Sequence, residues 1–251
     1  MKKISIINNK GGVGKTTTTI NLGYEFSQRF NKRVLLVDMD PQANMSRFLE
    51  ADESLPTIAN AFMNEAKIRE VIQHTKYERL DIIPASKILK TVYEERKIPG
   101  GALALRIILD EVEADYDFCI IDNAPALGIG TDNALVASNE VIVPICIDTF
   151  GFWGLDNIMR DIEKARQVNP SLYFDGCLVT RYINDEISRE VTRQMKEQET
   201  YPVFTTRIRE SDTVRRAVFA GQPITENSMR SGAAVDYRLW AKEYIENNLC
   251  S

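Results

Sequence analysis

The sequence has few of the residues that build metal centres or disulfide frameworks. Its 251 residues include one histidine, His74, and four cysteines, at positions 119, 146, 177 and 250. No two cysteines form a CxxC pair and none clusters with the histidine, so zinc and iron–sulfur chemistry have little support. The first three cysteines stand in short apolar runs typical of strands, which favours buried free thiols.

Long hydrophobic runs are lacking as well. No apolar run approaches the roughly 18 residues that a membrane-spanning helix needs. The chain starts with Met1, Lys2 and Lys3 and then enters an apolar segment of four residues. That segment is too short for the apolar core of a secretion signal, so a cytoplasmic protein is the simplest interpretation.

The chain also lacks an excess of positive charge. It has 31 lysine and arginine residues against 36 aspartate and glutamate residues, and its net charge is −5. This balance argues against a protein that coats nucleic acid through bulk positive charge. The charge is uneven, however, because residues 181–216 hold eight of the basic residues while most acidic residues precede them.

The sequence does contain a regular alternation of short apolar runs and longer helix-like patterns. The apolar runs are continuous, which is typical of strands covered on both faces, as in a parallel sheet. We predict strands at residues 4–7, 34–37, 80–83, 118–121, 141–147 and 177–179, and helices near residues 15–30, 102–113, 129–138, 153–168, 187–199 and 233–247. The alternation predicts an α/β protein, with a single-domain, doubly wound, mostly parallel sheet and helices on both faces.

A glycine-rich loop follows the first predicted strand. Residues 8–17 read NNKGGVGKTT. Gly11, Gly12 and Gly14 let the backbone curl so that successive N–H groups face inward, and the helix that begins near Lys15 adds its positive end. Strand, loop, Lys-Thr pair and helix occur in the order that a P-loop NTPase requires, so a glycine-rich turn that binds nothing is the weaker interpretation.

Two features of this loop need separate explanations. Lys15 is suited to the β- and γ-phosphates of a nucleotide, and the Thr16 hydroxyl is suited to Mg²⁺. The usual pattern has glycine five places before Gly14, where this chain has Asn9, and a second lysine, Lys10, stands beside it.

Three aspartates follow predicted strands. Asp38 and Asp122 each end an apolar run, and Asp40 stands two residues beyond Asp38. Since the carboxyl ends of parallel strands lie at one edge, these carboxylates are predicted to flank the phosphate loop, where Mg²⁺ bound to phosphate needs partners. Asp40 has the reach to orient or deprotonate an attacking water. A single strand-terminal aspartate is more often a helix N-cap, but three that converge on one loop exceed that role.

Three segments together resemble a known family. The loop at 10–17, the segment Asp38-Met39-Asp40-Pro41-Gln42-Ala43-Asn44 and the run at 117–122 closely resemble the deviant Walker A, switch I and Walker B segments of ParA/Soj-type partition ATPases. The residues at 208–224 and 232–244 resemble the closing motifs of the family. The likeness therefore covers nearly the whole chain, although these motifs separate ParA from its MinD-like cousins less well.

The resemblance implies a role for each site residue. It implies that Lys10 crosses the interface of an ATP-bound homodimer to touch the partner's nucleotide, as an arginine finger does. It also implies that Asp40 activates water and that Thr16, Asp38 and Asp122 surround magnesium. The predicted catalytic set is Lys10, Lys15 and Asp40, and the predicted nucleotide-binding set is Lys10, Gly11, Gly12, Val13, Gly14, Lys15, Thr16, Thr17 and Arg181. Arg181 resembles a position that contacts adenine, although a surface arginine without a ligand fits nearly as well.

The chain departs from the family pattern at two places. Ala124 stands where a second proline usually follows the Walker B aspartate, and the segment Pro144-Ile145-Cys146 lacks the usual glutamine. The first strand is predicted to begin at Ile4. We therefore expect one ATPase domain over residues 1–251, without the N-terminal helix-turn-helix extension of larger ParA proteins.

The basic residues of the last third are candidates for binding DNA. Several of them fall on one stripe of a predicted helix, and a solvated helix face is an equally good interpretation for a monomer. The family resemblance favours non-specific DNA binding by a dimer, in which two patches act together. The candidates, chosen by charge and spacing, are Arg189, Arg193, Lys196, Arg207, Arg209, Arg215 and Arg216.

The resulting hypothesis is an ATP- and Mg²⁺-dependent switch for DNA partition. ATP drives dimerisation and DNA binding at the nucleoid, and a ParB-like partner stimulates hydrolysis and release. The alternative is a MinD-like membrane adaptor, which needs a basic amphipathic C-terminal helix, whereas residues 244–251 are acidic and polar, so no membrane partner is expected. Electron-donating cluster carriers related to the nitrogenase iron protein need bridging cysteines, and the strand-like positions of Cys119 and Cys146 do not suit that role.

Overall fold

The computed structural model describes residues 1–125, 128–147, 154–198 and 200–249. All seven strands in this part of the chain belong to one sheet, in the order β3-β4-β2-β5-β1-β6-β7. Only β3 runs antiparallel to its neighbour. The strands are β1 (Lys2–Ile6), β2 (Val34–Asp38), β3 (Gln73–His74), β4 (Leu80–Ile83), β5 (Phe118–Asp122), β6 (Glu140–Cys146) and β7 (Tyr173–Thr180).

Helices connect the strands. A π-helical segment, Glu25–Arg29, continues the first helix, and a 3₁₀ turn, Gly101–Leu103, precedes the sixth. The α-helices are α1 (Lys15–Tyr24), α2 (Asn44–Phe48), α3 (Ile58–Phe62), α4 (Ile68–Val71), α5 (Ile88–Glu94), α6 (Ala104–Asp110), α7 (Ile129–Ala137), α8 (Leu155–Arg166), α9 (Glu186–Gln198), α10 (Asp212–Phe219), α11 (Ile224–Asn227) and α12 (Gly232–Leu249). None of these helices combines the length and apolarity needed to cross a membrane.

The central strands are buried because both of their faces are covered. In β2, Leu36 packs into a cluster with Phe26 and Trp240, while its neighbour Leu35 packs into a separate cluster with Phe62. Successive side chains of a strand point to opposite faces, so one continuous apolar run supplies two cores. A third core lies where β6 and β7 pack against α8 and α9. The prediction of a doubly wound, mostly parallel α/β fold is confirmed.

The predicted strands all exist, and each predicted helix has a counterpart. The elements that were not predicted from the sequence are all short, with at most eight residues: β3 and the helices α2, α3, α4, α5, α10 and α11. Cys119 and Cys177 are buried free thiols, as predicted, whereas Cys146, at the end of β6, is half-buried. Cys250 lies outside the described residues.

The topology brings several strand ends to one edge. Strand β1 lies between β5 and β6, which is where the connections change direction along the sheet. Asp38 at the end of β2 pairs in register with Asp122 at the end of β5, and Ile6 at the end of β1 pairs with Asp122 on the other side. The glycine-rich loop leaves β1 at this same edge, which is the edge where ligands bind in open α/β sheets.

Candidate phosphate-binding site

The loop between β1 and α1 is built for close approach of a ligand to the backbone. Gly12 and Gly14 have φ values of 76° and 86°, in the left-handed region that favours glycine. A β-carbon at Gly11 or Gly12 would meet no atom within 4 Å apart from its chain neighbours, so both glycines border open space. Asn8 anchors the start of the loop, because its side-chain amide donates to the Pro144 carbonyl at 2.7 Å and its oxygen accepts from the Lys10 N–H at 2.9 Å.

The two lysines of the loop have different environments. The Lys15 side chain is buried, with the residue 7% exposed, and its ammonium donates to the Lys10 carbonyl at 3.0 Å. Burial lowers the pKa of Lys15, and the nearby carboxylates of Asp122 and Asp40 partly oppose that shift. The Lys10 side chain is exposed. One ammonium therefore serves the inside of the loop, while the other is presented at the surface.

Thr16 connects the loop to the neighbouring strand. Its hydroxyl donates to Asp122 Oδ2 at 2.7 Å. Val13 is buried, and its carbonyl accepts a hydrogen bond of 2.8 Å from the Thr180 hydroxyl at the end of β7. The loop is thus held from β5, β6 and β7 together, and Thr16 lies beside a strand-end carboxylate as its motif position predicts.

Asp38 and Asp122 form a buried pair of like charges. Asp38 is fully buried and Asp122 is 1% exposed. Burial raises the pKa of Asp38 to about 6 despite its hydrogen bonds. Burial also raises the pKa of Asp122 well above its usual range, and the charge of Asp38 adds to that shift. Two buried carboxylates that oppose each other's ionisation are stabilised by a nearby cation, so this pair suits a phosphate-bound metal ion.

Ser46, which the sequence reading did not select, holds Asp38 in place. Its backbone N–H and its hydroxyl donate to Asp38 Oδ2 at 2.9 and 2.7 Å. The same hydroxyl accepts from the Ala85 N–H at 2.9 Å. Ser46 lies in the helix α2, whose five residues are too few to show a helical period in the sequence.

Asp40 is half-buried and its carboxylate is fixed locally. Its Oδ1 accepts from the Gln42 N–H at 2.9 Å, and its own N–H donates to Asp38 Oδ1 at 3.1 Å. It borders a cavity of about 470 Å³ that also touches Asn123 and Ala124 after β5. Asp40 therefore lies between the segments that follow β2 and β5, close enough to Lys15 to affect its pKa.

A second cavity of about 480 Å³ begins at the glycine loop and extends past the end of β7. Gly12, Gly14 and Thr17 line it, together with Arg181 and Tyr237. Arg181 has a φ of 51° and its guanidinium pairs with Glu210 at 2.9 Å. The cavity is large enough for a nucleotide base. The sequence predicted a nucleotide contact for Arg181, whereas Arg209 and Arg215, which also line the cavity, were predicted to bind DNA.

The two departures from the family pattern lie beside the site. Ala124 lines the cavity next to Asp40. Cys146 ends β6 with its sulfur 3.5 Å from the Thr180 hydroxyl, which holds the Val13 carbonyl. The loop thus retains its anchor to β7 with cysteine at this position.

Three of the six candidate DNA-binding arginines are paired with acids. Arg193 forms ion pairs with Glu190 and Glu197 on its own helix. Arg209 binds both carboxylate oxygens of Asp236, at 2.7 and 2.8 Å. These two guanidinium groups have local structural partners, so each would have to exchange a carboxylate for a phosphate in order to bind DNA.

The remaining candidates differ in the partners of their side chains. Arg215 pairs with Asp212 at 3.3 Å, and Arg207 lies over the Tyr182 ring at 4.9 Å. Among the described residues, the exposed Arg189 donates to the Asp185 carbonyl without a close ion pair, and the exposed Arg216 has no close ion pair. The side chain of Lys196 lies outside the described residues. Arg189 and Arg216 are therefore the candidates best able to accept a new anion.

The fold and the site define the class of the protein. A left-handed glycine loop, a buried lysine and two buried strand-end aspartates occur at the switch point of a parallel sheet, which is the arrangement of a P-loop α/β protein. A family model described as an AAA domain matches residues 1–174. Chromosome-partitioning ATPase Soj of Treponema pallidum is 34% identical, over 97% of each chain, and the sporulation initiation inhibitor protein Soj of Bacillus subtilis is 33% identical, over 98% of this chain and 99% of that one.

Solved structures agree with this assignment. A cobyrinic acid a,c-diamide synthase of Mycobacterium smegmatis, with bound ATP analogue and magnesium, is 29% identical with a TM-score of 0.83, over 96% of this chain and 93% of that one. The septum site-determining protein MinD of Pyrococcus horikoshii, with Mg-ADP, is 25% identical with a TM-score of 0.82, over 97% and 95%. The chain belongs to the AAA domain family and, within it, to the ParA/Soj group of partitioning ATPases.

Proposed function

We propose that this protein is an ATP- and Mg²⁺-dependent switch for DNA partition, in which ATP drives formation of a homodimer that binds DNA without sequence preference. The observation that carries the proposal is the pair of lysines in one phosphate loop, with Lys15 buried beneath the loop and Lys10 exposed. A single nucleotide inside the loop needs only the first lysine. The second lies at the surface and is proposed to reach a nucleotide in another subunit.

The donor set fits ATP with a magnesium ion. The open glycine loop offers backbone N–H groups to the phosphates, and Lys15 supplies a charge beneath them. Thr16 and the buried pair Asp38 and Asp122 are the residues that would hold Mg²⁺, directly or through water. When bound, the ion neutralises charge on the phosphate oxygens. The relatives with bound ATP analogue or ADP and magnesium support this assignment.

The chain's own residues account for hydrolysis. Asp40, fixed through Gln42, orients an attacking water or takes its proton. Lys15 and the loop N–H groups stabilise the charge that develops on the transferred phosphoryl group. Lys10 of the second subunit adds a cation from outside, so complete catalysis depends on the dimer.

The output of the switch is proposed to be DNA binding at the nucleoid, reset by a ParB-like partner. The named partitioning relatives support this reading. An acidic chain binds DNA poorly as a monomer, and doubling a small set of exposed arginines raises the affinity steeply because phosphate contacts act together. Arg181 is proposed to contact the base in the cavity next to the loop.

A MinD-like membrane adaptor is the second candidate. The similarity to MinD supports it at the level of the fold. Such an adaptor needs an apolar helix face that is free to enter a bilayer. The aromatic side chains of α12, Tyr237, Trp240 and Tyr244, are instead buried in the core. Over the described residues, the aromatic side chains of α12 therefore pack in the core and do not face a bilayer. This favours DNA as the output.

An electrophoretic shift on random-sequence DNA tests the proposal. Four samples are compared: no nucleotide, ADP, ATP, and ATP with the Asp40→Ala variant. We expect binding only with ATP, and persistent binding with the variant because hydrolysis no longer releases the dimer. Equal binding in all four samples, or none in any, would contradict the proposal. Flotation with anionic lipid vesicles under the same nucleotides tests the alternative, which requires ATP-dependent recovery with the vesicles.

A further inference from the structure

Tyr93 lies behind the proposed catalytic aspartate, on helix α5, and no motif of the sequence includes it. Its ring is half-buried and packs near Phe62, with 6.5 Å between ring centroids. Its hydroxyl donates to the carbonyl of Met39 at 3.2 Å. Met39 is the residue between Asp38 and Asp40, so the hydroxyl contacts the peptide unit that leads directly into Asp40.

The Met39 backbone is held from two sides. Its N–H donates to the Asp122 carbonyl at 2.9 Å, which ties it to the end of β5. Its carbonyl accepts from the Tyr93 hydroxyl. Since Asp40 follows immediately, the orientation of the Met39 peptide unit affects the position of the Asp40 carboxylate. Loss of the tyrosine hydroxyl removes one of the two hydrogen bonds that fix this peptide unit.

Tyr93 also contacts the segment that follows Asp122. Gly130 lies buried in the first turn of α7, and a β-carbon there would be 2.7 Å from Tyr93 Cζ, 2.8 Å from Cε2 and 2.9 Å from the hydroxyl oxygen. The glycine is therefore needed for this close packing. One aromatic side chain touches both the segment after β2 and the helix after β5, and it lines the cavity that borders Asp40.

We propose that Tyr93 is a positioning residue for hydrolysis, which fixes the Met39 carbonyl and thereby the Asp40 carboxylate, in register with α7. It touches neither the phosphate loop nor the cavity beside Gly12 and Arg181, so it acts on the rate and not on nucleotide binding. The inference rests on the proposed ATPase function. Rates are sensitive to small displacements of a catalytic group, which is why one tether has a measurable effect.

The test compares Tyr93→Phe with Tyr116→Phe. Each substitution removes one hydrogen-bonded hydroxyl from a half-buried tyrosine and keeps the ring. The Tyr116 hydroxyl donates to Asp81 Oδ2 at 2.7 Å. Tyr116 lies two residues before β5, at the edge of the sheet opposite the phosphate loop. Hydrolysis of ATP in single turnover, the dissociation constant of Mg-ADP and the melting temperature are measured for both. For Tyr93→Phe we expect hydrolysis slowed about three- to tenfold, the effect of one missing hydrogen bond, with nucleotide affinity within about twofold of wild type.

Tyr116→Phe should lower the melting temperature and leave hydrolysis within about twofold. Gly130→Ala provides a second route, because its methyl group displaces the Tyr93 ring. It should slow hydrolysis as well, and in combination with Tyr93→Phe the two effects should not multiply, since both disrupt the same interaction.

Each failure has a distinct meaning. A wild-type protein that binds nucleotide but never hydrolyses ATP contradicts the proposed function, and the role of Tyr93 with it. A wild type that hydrolyses ATP at the same rate as Tyr93→Phe overturns the role of Tyr93 alone. Loss of nucleotide affinity in Tyr93→Phe, or equal slowing by Tyr116→Phe, would assign Tyr93 a purely structural role and also overturn it.

Discussion

At the scale of single residues, the site separates two lysines that are only five positions apart. Lys15 is buried against the Lys10 carbonyl, and Lys10 itself is exposed. Replacing Lys15 by alanine removes the charge beneath the phosphates and should weaken nucleotide binding about 10- to 100-fold, as expected when a hydrogen bond to a charged group is removed. Titration with a fluorescent ATP analogue measures this decrease in affinity.

Lys10→Ala should behave differently from Lys15→Ala. Nucleotide binding by the monomer should stay within about threefold of wild type, because Lys10 contributes to the loop through its backbone N–H and carbonyl, which alanine retains. The ATP-dependent dimer, measured by sedimentation in the Asp40→Ala background, should weaken. Loss of all nucleotide binding in Lys10→Ala would return this lysine to the role of an ordinary loop residue.

Ser46 gives a third prediction at this scale. Ser46→Ala removes one hydrogen bond from Asp38 and leaves the Ala85 N–H without its partner in the interior, which should cost about 1–3 kcal/mol of unfolding free energy. The pKa of Asp38 should also rise further in the variant, because the hydrogen bond from the Ser46 hydroxyl opposes the effect of burial in the wild type. Urea denaturation measures the first effect. Ser54→Ala, at an exposed hydroxyl bonded to Asp52, is the matched control and should change stability by less than about 0.5 kcal/mol.

At the scale of secondary structure, the sequence predicted long elements better than short ones. Strands such as β2 and β5 are continuous apolar runs that end in aspartate, so both the sheet and the position of Asp38 and Asp122 followed from the pattern. Helices α2 to α5 have between four and seven residues, too few to show a helical period. Ser46 and Tyr93 lie on those helices, and their contacts depend on tertiary packing, so they could not be predicted.

Strand β7 carries a half-buried acid, Asp175, near its start, at the edge opposite the phosphate loop. Burial raises the pKa of Asp175 to about 7, and the charge of Glu140 adds to this while that of Lys2 opposes it. Its Oδ2 is buried without a hydrogen-bond partner among the described residues. The folded state therefore keeps a proton that the unfolded chain releases near pH 4, and the free energy of unfolding should fall as pH rises from about 4 to 7.

Asp175→Asn removes this dependence. Relative to wild type, the variant should gain on the order of 2 kcal/mol of unfolding free energy between pH 5 and 8, measured by urea denaturation at each pH. Asp117→Asn is the contrasting control. The hydrogen bond from Arg33 lowers the pKa of Asp117, so its contribution is already complete above pH 4 and its difference from wild type should stay constant over the same range. A pH-independent difference for Asp175→Asn would show that this carboxyl ionises freely in the folded protein.

At the scale of the whole molecule, the proposed output depends on a few cations in an acidic chain. Arg193 and Arg209 form close ion pairs with carboxylates, whereas Arg189 and Arg216 form no close ion pair among the described residues, although the charge of Asp185 attracts Arg189 from farther away. An arginine that is already paired must give up its carboxylate to bind a phosphate, and so gains less from DNA. The exposed pair should therefore supply more of the DNA affinity of the ATP-bound dimer than the paired arginines do.

The salt dependence of DNA binding tests this distribution. The double variant Arg189→Ala/Arg216→Ala should reduce the slope of log affinity against log salt concentration by about 0.9 for every DNA phosphate that the variant no longer neutralises, because each neutralised phosphate releases counterions. Arg160→Ala is the matched control, since Arg160 is an exposed arginine on α8 that donates to Asn157 and to no acid in the part of the chain that the structure describes. It should leave the slope unchanged, and ATP hydrolysis without DNA should be equal in all three proteins. An unchanged slope in the double variant would show that the DNA-binding surface does not include these arginines of α9 and α10. An equal decrease in the control would show that DNA binding depends only on net charge.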